Sequence, residues 1–120
     1  MQDGLTPTAA LSGIRVIEVG GPCTRYAGKM FADMGADVVL VEPPEGSATR
    51  REGPFIDDVP GGERSLSFAY YNTSKRGITL DLDTADGQAL FLELAAGADL
   101  VLEGVKPGVM ARRGLDYEVL

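Results

Sequence analysis

The sequence contains no histidine and a single cysteine, Cys23. Without histidine, a Ser-His-Asp triad, a Cys-His pair and a histidine-rich metal site are excluded, so acid–base chemistry would fall to Asp, Glu, Lys or Tyr. One cysteine excludes a disulfide framework within the chain, and no metal site is predicted. Cys23 is interpreted as a packing residue rather than a nucleophile, because no base partner can be recognised for it.

Long apolar runs are also missing, and none approaches the roughly 18 residues that a membrane span needs. The N-terminal stretch MQDGLTPTAA lacks the basic region and apolar core of a signal peptide, so a cytoplasmic location is expected. The net charge of −7 disfavours a nucleic-acid partner, although local groups can still hold one phosphorylated small ligand. With 120 residues, 44% of them hydrophobic, the chain is expected to form one globular domain.

Apolar periodicity predicts strands that alternate with helices after a flexible lead-in at residues 1–10. The predicted strands cover residues 14–19, 37–42, 78–82 and 99–103, and the predicted helices 24–34, 66–71, 85–96 and 107–114. This order predicts an α/β fold with an open, mainly parallel sheet and flanking helices. Residues 43–65, rich in Pro, Gly and charge, form a long loop, which is typical of a functional or mobile segment.

Two helices carry an apolar face in this interpretation. For the first, the apolar residues at three- and four-residue spacing are Tyr26, Ala27, Met30, Phe31 and Met34. For the helix capped by Thr84, the predicted buried stripe comprises Leu90, Phe91, Leu94 and Ala95. Both faces are expected to pack on the sheet.

The turn VGGPC at residues 19–23 joins the first predicted strand to the first predicted helix. Glu42 follows Gly20 by 22 residues, similar to the acidic residue that contacts ribose in dinucleotide-binding folds. However, the glycines do not fit G-x-G-x-x-G, and Pro22 lacks an N–H to offer a phosphate. A standard NAD or FAD site is therefore disfavoured, which leaves a tight turn or a turn that faces another ligand.

Basic pairs and strand-end carboxylates are the remaining candidates for a polar site. The pairs Arg50-Arg51, Lys75-Arg76 and Arg112-Arg113 lie near turns, where they form either an anion site or solvated turns. None belongs to a P-loop, because the G-x-x-x-x-G-K-[ST] frame is absent. The carboxylates near strand ends, which either line a crevice or stabilise turns, are Asp81, Asp83, Asp99 and Glu103.

Four motifs occur in a characteristic order: ADMGADVVLVEPP, NTSKRGITLDL, ADLVLEGVKPGV and RRGLDYEVL. With them, residues 11–120 resemble the N-terminal segment of class III CoA-transferases. This family includes formyl-CoA, carnitine and bile-acid CoA-transferases and the related α-methylacyl-CoA racemases. The resemblance implies that residues 11–120 form the N-terminal part of a Rossmann-like, CoA-binding large domain. It also implies a second, small domain and an interlocked homodimer in the complete enzyme.

The activity that the resemblance implies is transfer of CoA between an acyl-CoA and a carboxylic acid through covalent intermediates on an aspartate. That aspartate lies beyond the similar region, so no catalytic residue is assigned here. The chain is expected to be an N-terminal portion that is inactive alone. An acyl-CoA racemase or epimerase of the same family, a non-catalytic CoA- or nucleotide-binding module and a structural docking remnant remain alternatives.

The resemblance also implies which residues contact CoA. They are Gly21, Pro22, Leu80, Asp81, Leu82, Asp83, Gly104, Val105, Lys106 and Arg112. Arg112 offers a forked donor suited to phosphate, and Lys106 a point charge. Two positions depart from the family pattern: Gly104 stands where many relatives have Asn, and Pro43 where some have Arg. CoA itself is the expected cofactor-like substrate.

Overall fold

A computed structural model describes residues 8–120, so most of the predicted lead-in lies outside the described residues. Within them, strands alternate with helices as predicted. The strands are β1 (Arg15–Val19), β2 (Asp37–Glu42), β3 (Arg76–Thr79) and β4 (Leu100–Glu103). The helices are α1 (Arg25–Asp33), α2 (Leu66–Tyr71), α3 (Ala85–Ala96) and α4 (Val109–Arg112).

All four strands pair in parallel, in the order β3-β2-β1-β4. Val16 of β1 lies opposite Val38 of β2 on one side and Leu100 of β4 on the other. The chain therefore first adds strands on one side of β1 and then crosses to the opposite side for β4, as in the Rossmann fold. The predicted open parallel α/β sheet is confirmed.

The central strands bury side chains on both faces, as expected for parallel strands covered by helices. On the face covered by α3 and α4, the core is formed by Ile17, Val19, Val39, Val41, Leu82, Phe91, Met110 and Leu115. On the face covered by α1, it is formed by Val16, Ala32, Ala36 and Val38. Neighbouring residues along a strand thus belong to different cores, the alternation that an extended backbone requires.

The third strand begins and ends earlier than residues 78–82. Arg76 already pairs with Val39, and the last paired residue is Thr79, opposite Glu42. Leu80 N still donates to the carbonyl oxygen of Glu42, the last residue of β2, at 3.0 Å. Pro43, which follows β2, has no N–H with which to continue the ladder. Similarly, α4 begins at Val109, after Gly108 at its N-cap, rather than at Pro107.

The predicted apolar face of α1 is largely wrong in phase. Tyr26, Met30 and Met34 are 57%, 41% and 43% exposed, and the helix buries Gly28 and Ala32 instead. Leu90 of α3 is likewise exposed, whereas Phe91 is fully buried as predicted. Position 28 of α1 requires glycine because a polar pair occupies the space beneath it.

That pair consists of Glu18 in β1 and Lys75 in the turn before β3. Lys75 Nζ lies 2.7 Å from Glu18 Oε2, and both side chains are only 1% exposed. Thr24 donates its hydroxyl hydrogen to the other carboxylate oxygen, Oε1, at 3.1 Å. Oε2 accepts no well-aligned hydrogen bond among the described residues, so its contact with the ammonium is an ion pair. Lys75 is therefore a structural cation.

The long segment 43–65 is anchored by polar contacts and includes two short 3-10 helices, Ala48–Arg51 and Ile56–Asp58. Near its start, Arg50 bonds the Glu42 carboxylate and stacks on the Phe68 ring, 4.0 Å from the ring centroid. At its end, Ser65 donates to the carbonyl oxygen of Glu52 at 2.5 Å. These contacts hold the start of the segment beside the end of β2.

Candidate functional site

A cleft of about 510 Å³ opens at the edge where the parallel strands end. Its wall includes Val19 at the end of β1, Glu42 at the end of β2, Leu80 just after β3 and Val105 just after β4. Ligands of open α/β sheets bind outside the carboxyl ends of the strands, where the strand order reverses. The cleft is therefore the candidate functional site.

The glycine pair after β1 forms one wall of the cleft, and its two members differ in what they require. A Cβ on Gly20 would lie 2.6 Å from Thr24 Oγ1 and 3.0 Å from Gly104 N, so only glycine fits there without rearrangement. A Cβ on Gly21 would meet nothing within 4 Å. Gly20 thus allows the β1 and β4 ends to approach closely, and Gly21 leaves backbone open to the cleft.

The turn Leu80–Asp83 forms the opposite wall and joins β3 to α3. Asp81 accepts a hydrogen bond from Asp83 N at 3.0 Å through its Oδ1, the geometry of an Asx turn. Thr84 then caps α3, its hydroxyl accepting from Gly87 N at 3.1 Å, as the sequence predicted. Both contacts fix the backbone that the cleft exposes.

Glu42 lies at the base of the cleft with its carboxylate already bonded. Arg50 donates through Nε to Oε2 at 2.7 Å and through Nη2 to Oε1 at 2.8 Å, while Ser47 N donates to Oε2 at 2.8 Å. The Arg50 guanidinium, together with the Ser47 N–H, holds the pKa of Glu42 below its ordinary value despite burial. Glu42 therefore anchors segment 43–65, and its carboxylate already accepts three hydrogen bonds within the fold.

Arg113, just after α4, brings a positive charge to the cleft. Its Nε donates to Asp83 Oδ1 at 2.8 Å, which lowers the pKa of that carboxyl. The Arg113 side chain is 21% exposed, and Asp83 is 74% exposed. The pair thus joins the end of α4 to the start of α3 at the rim of the cleft.

The residues predicted to contact CoA divide into two groups. Those that line the cleft are Gly21, Leu80, Asp81, Leu82, Asp83 and Val105. The predicted contacts that do not line it are Pro22, Gly104, Lys106 and Arg112. Lys106 lines a second hollow beside β4, and Arg112 is exposed at the end of α4. For the second group, contact with CoA stays a prediction of the resemblance.

Sequence reasoning did not assign several residues that line the cleft, among them Ser47, Ala48 and Arg113. Arg113 was recognised only as one half of a basic pair. The strand-end rule could have located Ser47 and Ala48, since both follow β2 closely. Of the other basic pairs, Lys75 and Arg76 bind Glu18 and Asp37, so the structure does not support an anion site there.

The fold and the cleft together define an open parallel α/β domain with a ligand site at its strand ends. Residues 11–120 match the family model described as CoA-transferase family III, and the chain belongs to that family. It is 50% identical over 119 residues to a succinate–glutarate CoA-transferase of Agrobacterium fabrum, with 92% of this chain and 28% of that protein covered.

Two further relatives agree with this assignment. The chain is 44% identical over 109 residues to subunit BbsE of a succinyl-CoA:(R)-benzylsuccinate CoA-transferase of Thauera aromatica, covering 91% of this chain and 27% of that subunit. The crystal structure of a CAIB/BAIF family protein from Brucella suis superposes with a TM-score of 0.84 at 40% identity, covering 94% of this chain and 30% of that one. The chain thus spans less than a third of the length of these relatives.

Two structural features are absent from residues 8–120. None of the helices there has the length and apolar character needed to cross a membrane. No group of three or more His, Cys, Asp or Glu side chains in that range is arranged to hold a metal ion.

Proposed function

We propose that residues 11–120 form the N-terminal, CoA-binding part of a cytoplasmic, homodimeric CoA-transferase, which moves CoA between an acyl-CoA and a carboxylic acid. The observation that carries the proposal is the cleft. Six residues that the resemblance assigned to CoA line it, at the edge where open α/β sheets bind ligands: Gly21, Leu80, Asp81, Leu82, Asp83 and Val105.

Each wall has a physical role in this proposal. Gly21 leaves room for a ligand against the backbone, since no atom lies within 4 Å of where its side chain would be. Leu80 and Leu82 offer apolar surface to the pantetheine arm, although Leu82 is largely buried in the core. In the family, the catalytic aspartate lies beyond the segment that residues 11–120 resemble. The chain alone is therefore proposed to bind CoA without turnover.

Calorimetric titration of the 120-residue chain with CoA tests the binding role. We expect weak, saturable binding of CoA, and binding of NAD⁺ at least tenfold weaker, because the turn after β1 lacks the dinucleotide glycine pattern. Absence of CoA binding, or equal affinity for NAD⁺, would contradict the proposal. Mixing the chain with an acyl-CoA and a labelled carboxylate is expected to give no exchange above the blank.

The relatives above are named as CoA-transferases, which favours transfer over racemisation and suggests the first substrates to test. We propose a succinyl-CoA-type donor for the complete protein that contains this chain. Such a protein is expected to exchange labelled succinate into succinyl-CoA. In deuterated water, it should not incorporate deuterium next to the thioester carbonyl of 2-methylacyl-CoA. Deuterium incorporation without succinate exchange would favour the racemase alternative.

A further inference from the structure

The cleft presents a problem of charge for any ligand that carries phosphate. The carboxylates that line it are Glu42, Glu45, Asp81 and Asp83. Among the described residues that line it, Arg113 is the only cation. Glu42 is compensated by Arg50, but the other carboxylates repel an anion unless a cation offsets them.

Arg113 is arranged to receive an oxyanion. Its Nε is bonded to Asp83 Oδ1 at 2.8 Å, and its terminal Nη atoms make no hydrogen bond within residues 8–120. Asp83 is itself held by the Asx turn, through Asp83 N and Asp81 Oδ1 at 3.0 Å. One edge of the guanidinium is therefore anchored while two nitrogens remain for a planar, bidentate contact.

Two other cations lie near the same strand ends. Arg50 already bonds Glu42, and Lys106, which follows β4, does not line the cleft. Arg112, the neighbour of Arg113, does not line the cleft. Position within the fold thus distinguishes Arg113 from Arg112, the arginine to which the resemblance assigned the CoA contact.

We infer that Arg113 binds a phosphate group of the ligand in the cleft, and that Asp83 is a positioning residue that orients Arg113 and competes with the phosphate for it. The inference rests on the proposed function, which makes that ligand CoA. Ligand phosphate takes the Nη donors while Nε stays on Asp83. This contact would add to any that Arg112 makes with CoA. If it exists, replacing Arg113 and replacing Asp83 should change the affinity for CoA in opposite directions.

Calorimetry with CoA on the 120-residue chain, at low and at physiological ionic strength, tests the inference with three variants. Arg113→Ala is expected to weaken binding about tenfold and to flatten its salt dependence, because a charge-assisted contact is lost. Asp83→Asn keeps an oxygen for Nε but removes the competing charge, so binding should tighten about threefold. The matched control is Arg51→Ala, an exposed arginine outside the cleft, which should bind like the unchanged chain.

The opposite directions separate ligand contact from a structural role. If the ion pair only held the rim together, both Arg113→Ala and Asp83→Asn would weaken binding, and that result would overturn the inference. Unchanged affinity in Arg113→Ala would overturn it as well. Absence of CoA binding by the unchanged chain would contradict the proposed function itself. Thermal unfolding of each variant checks the fold, and midpoints close to that of the unchanged chain are expected, because the Asp83 side of the pair is 74% exposed.

Discussion

Replacing Lys75 with methionine is expected to destabilise the fold strongly, because the change leaves the Glu18 carboxylate buried without a counter-charge. Both side chains are only 1% exposed, and Lys75 Nζ lies 2.7 Å from Glu18 Oε2. Nζ also donates to the carbonyl oxygen of Arg25 at 3.1 Å and to Asn72 Oδ1 at 2.9 Å. Methionine has similar length but donates no hydrogen bond, so the charge and both hydrogen bonds disappear together.

The magnitude follows from two opposing terms. At the 2.7 Å separation of Nζ and Oε2, Coulomb attraction is about 6 kcal/mol for an effective dielectric constant of about 20. Removing each ion from water costs several kcal/mol, so the intact pair contributes little net stability. A single substitution removes the attraction but leaves one desolvated ion, and the expected loss is about 3–5 kcal/mol. The double variant Glu18→Gln/Lys75→Met buries no charge and should lose no more than the worse single variant.

Urea denaturation of the unchanged chain, Lys75→Met, Glu18→Gln and the double variant measures these free energies of unfolding as a double-mutant cycle. Arg76→Met is the matched control. Arg76 is the next residue, it pairs with Asp37, and its side chain is 64% exposed, so its replacement should cost far less than Lys75→Met. If Lys75→Met does not fold, recovery of folding in the double variant becomes the measurement. A loss no larger than that of Arg76→Met, or additive losses in the double variant, would refute the reasoning.

Two further predictions concern the same framework. Gly28→Ala should destabilise the chain despite the higher helix propensity of alanine, because its Cβ would lie 2.8 Å from Glu18 Cδ and 2.9 Å from Lys75 Nζ. Urea denaturation measures the loss, with Ala27→Gly, at an exposed position on the same helix, as the control. An unchanged stability of Gly28→Ala would contradict this prediction. Glu42→Gln should cost about 2 kcal/mol at pH 7. Since the pKa of Glu42 is lowered in the folded chain, its stabilisation is present above the unfolded value near 4.5 and is lost as the pH falls below it. The acid limb of a stability–pH curve should therefore be shallower for Glu42→Gln, and an unchanged limb would contradict the assignment.

The sequence predicted the order of strands and helices well because each buried strand is a short apolar run bounded by turn residues. β2 illustrates this: its nearly continuous apolar run matches a strand in which Val38 through Glu42 are all buried. The bounds of β3 could not be read in the same way. Apolar and polar residues alternate over ITLDL, residues 78–82, although β3 ends at Thr79. The alternation continues because Leu82 packs in the core from the turn after the strand.

The buried face of α1 was harder to predict, because a buried ion pair lies where apolar side chains of the helix would usually pack. Periodicity indicates which residues of α1 share a face, but it assumes that the most apolar face packs on the sheet. Here the sheet presents Glu18, with Lys75 lying against it, and a side chain at position 28 of the helix would collide with both. No local pattern connects residue 18 with residue 75, since the contact exists only in the folded chain.

The net charge of −7 and the proposed polyanionic ligand are compatible once the charges are placed in space. At physiological ionic strength, charges beyond about 8 Å are largely screened, so the groups at the cleft decide whether a phosphate binds there. Glu42 is neutralised by Arg50 and Asp83 by Arg113, while Glu45 and Asp81 also line the cleft. The distant acidic surface then slows the encounter more than it weakens the complex. Because Asp83 competes with the ligand for one guanidinium, its removal should raise CoA affinity more at low ionic strength than at high, which the two salt conditions above measure directly.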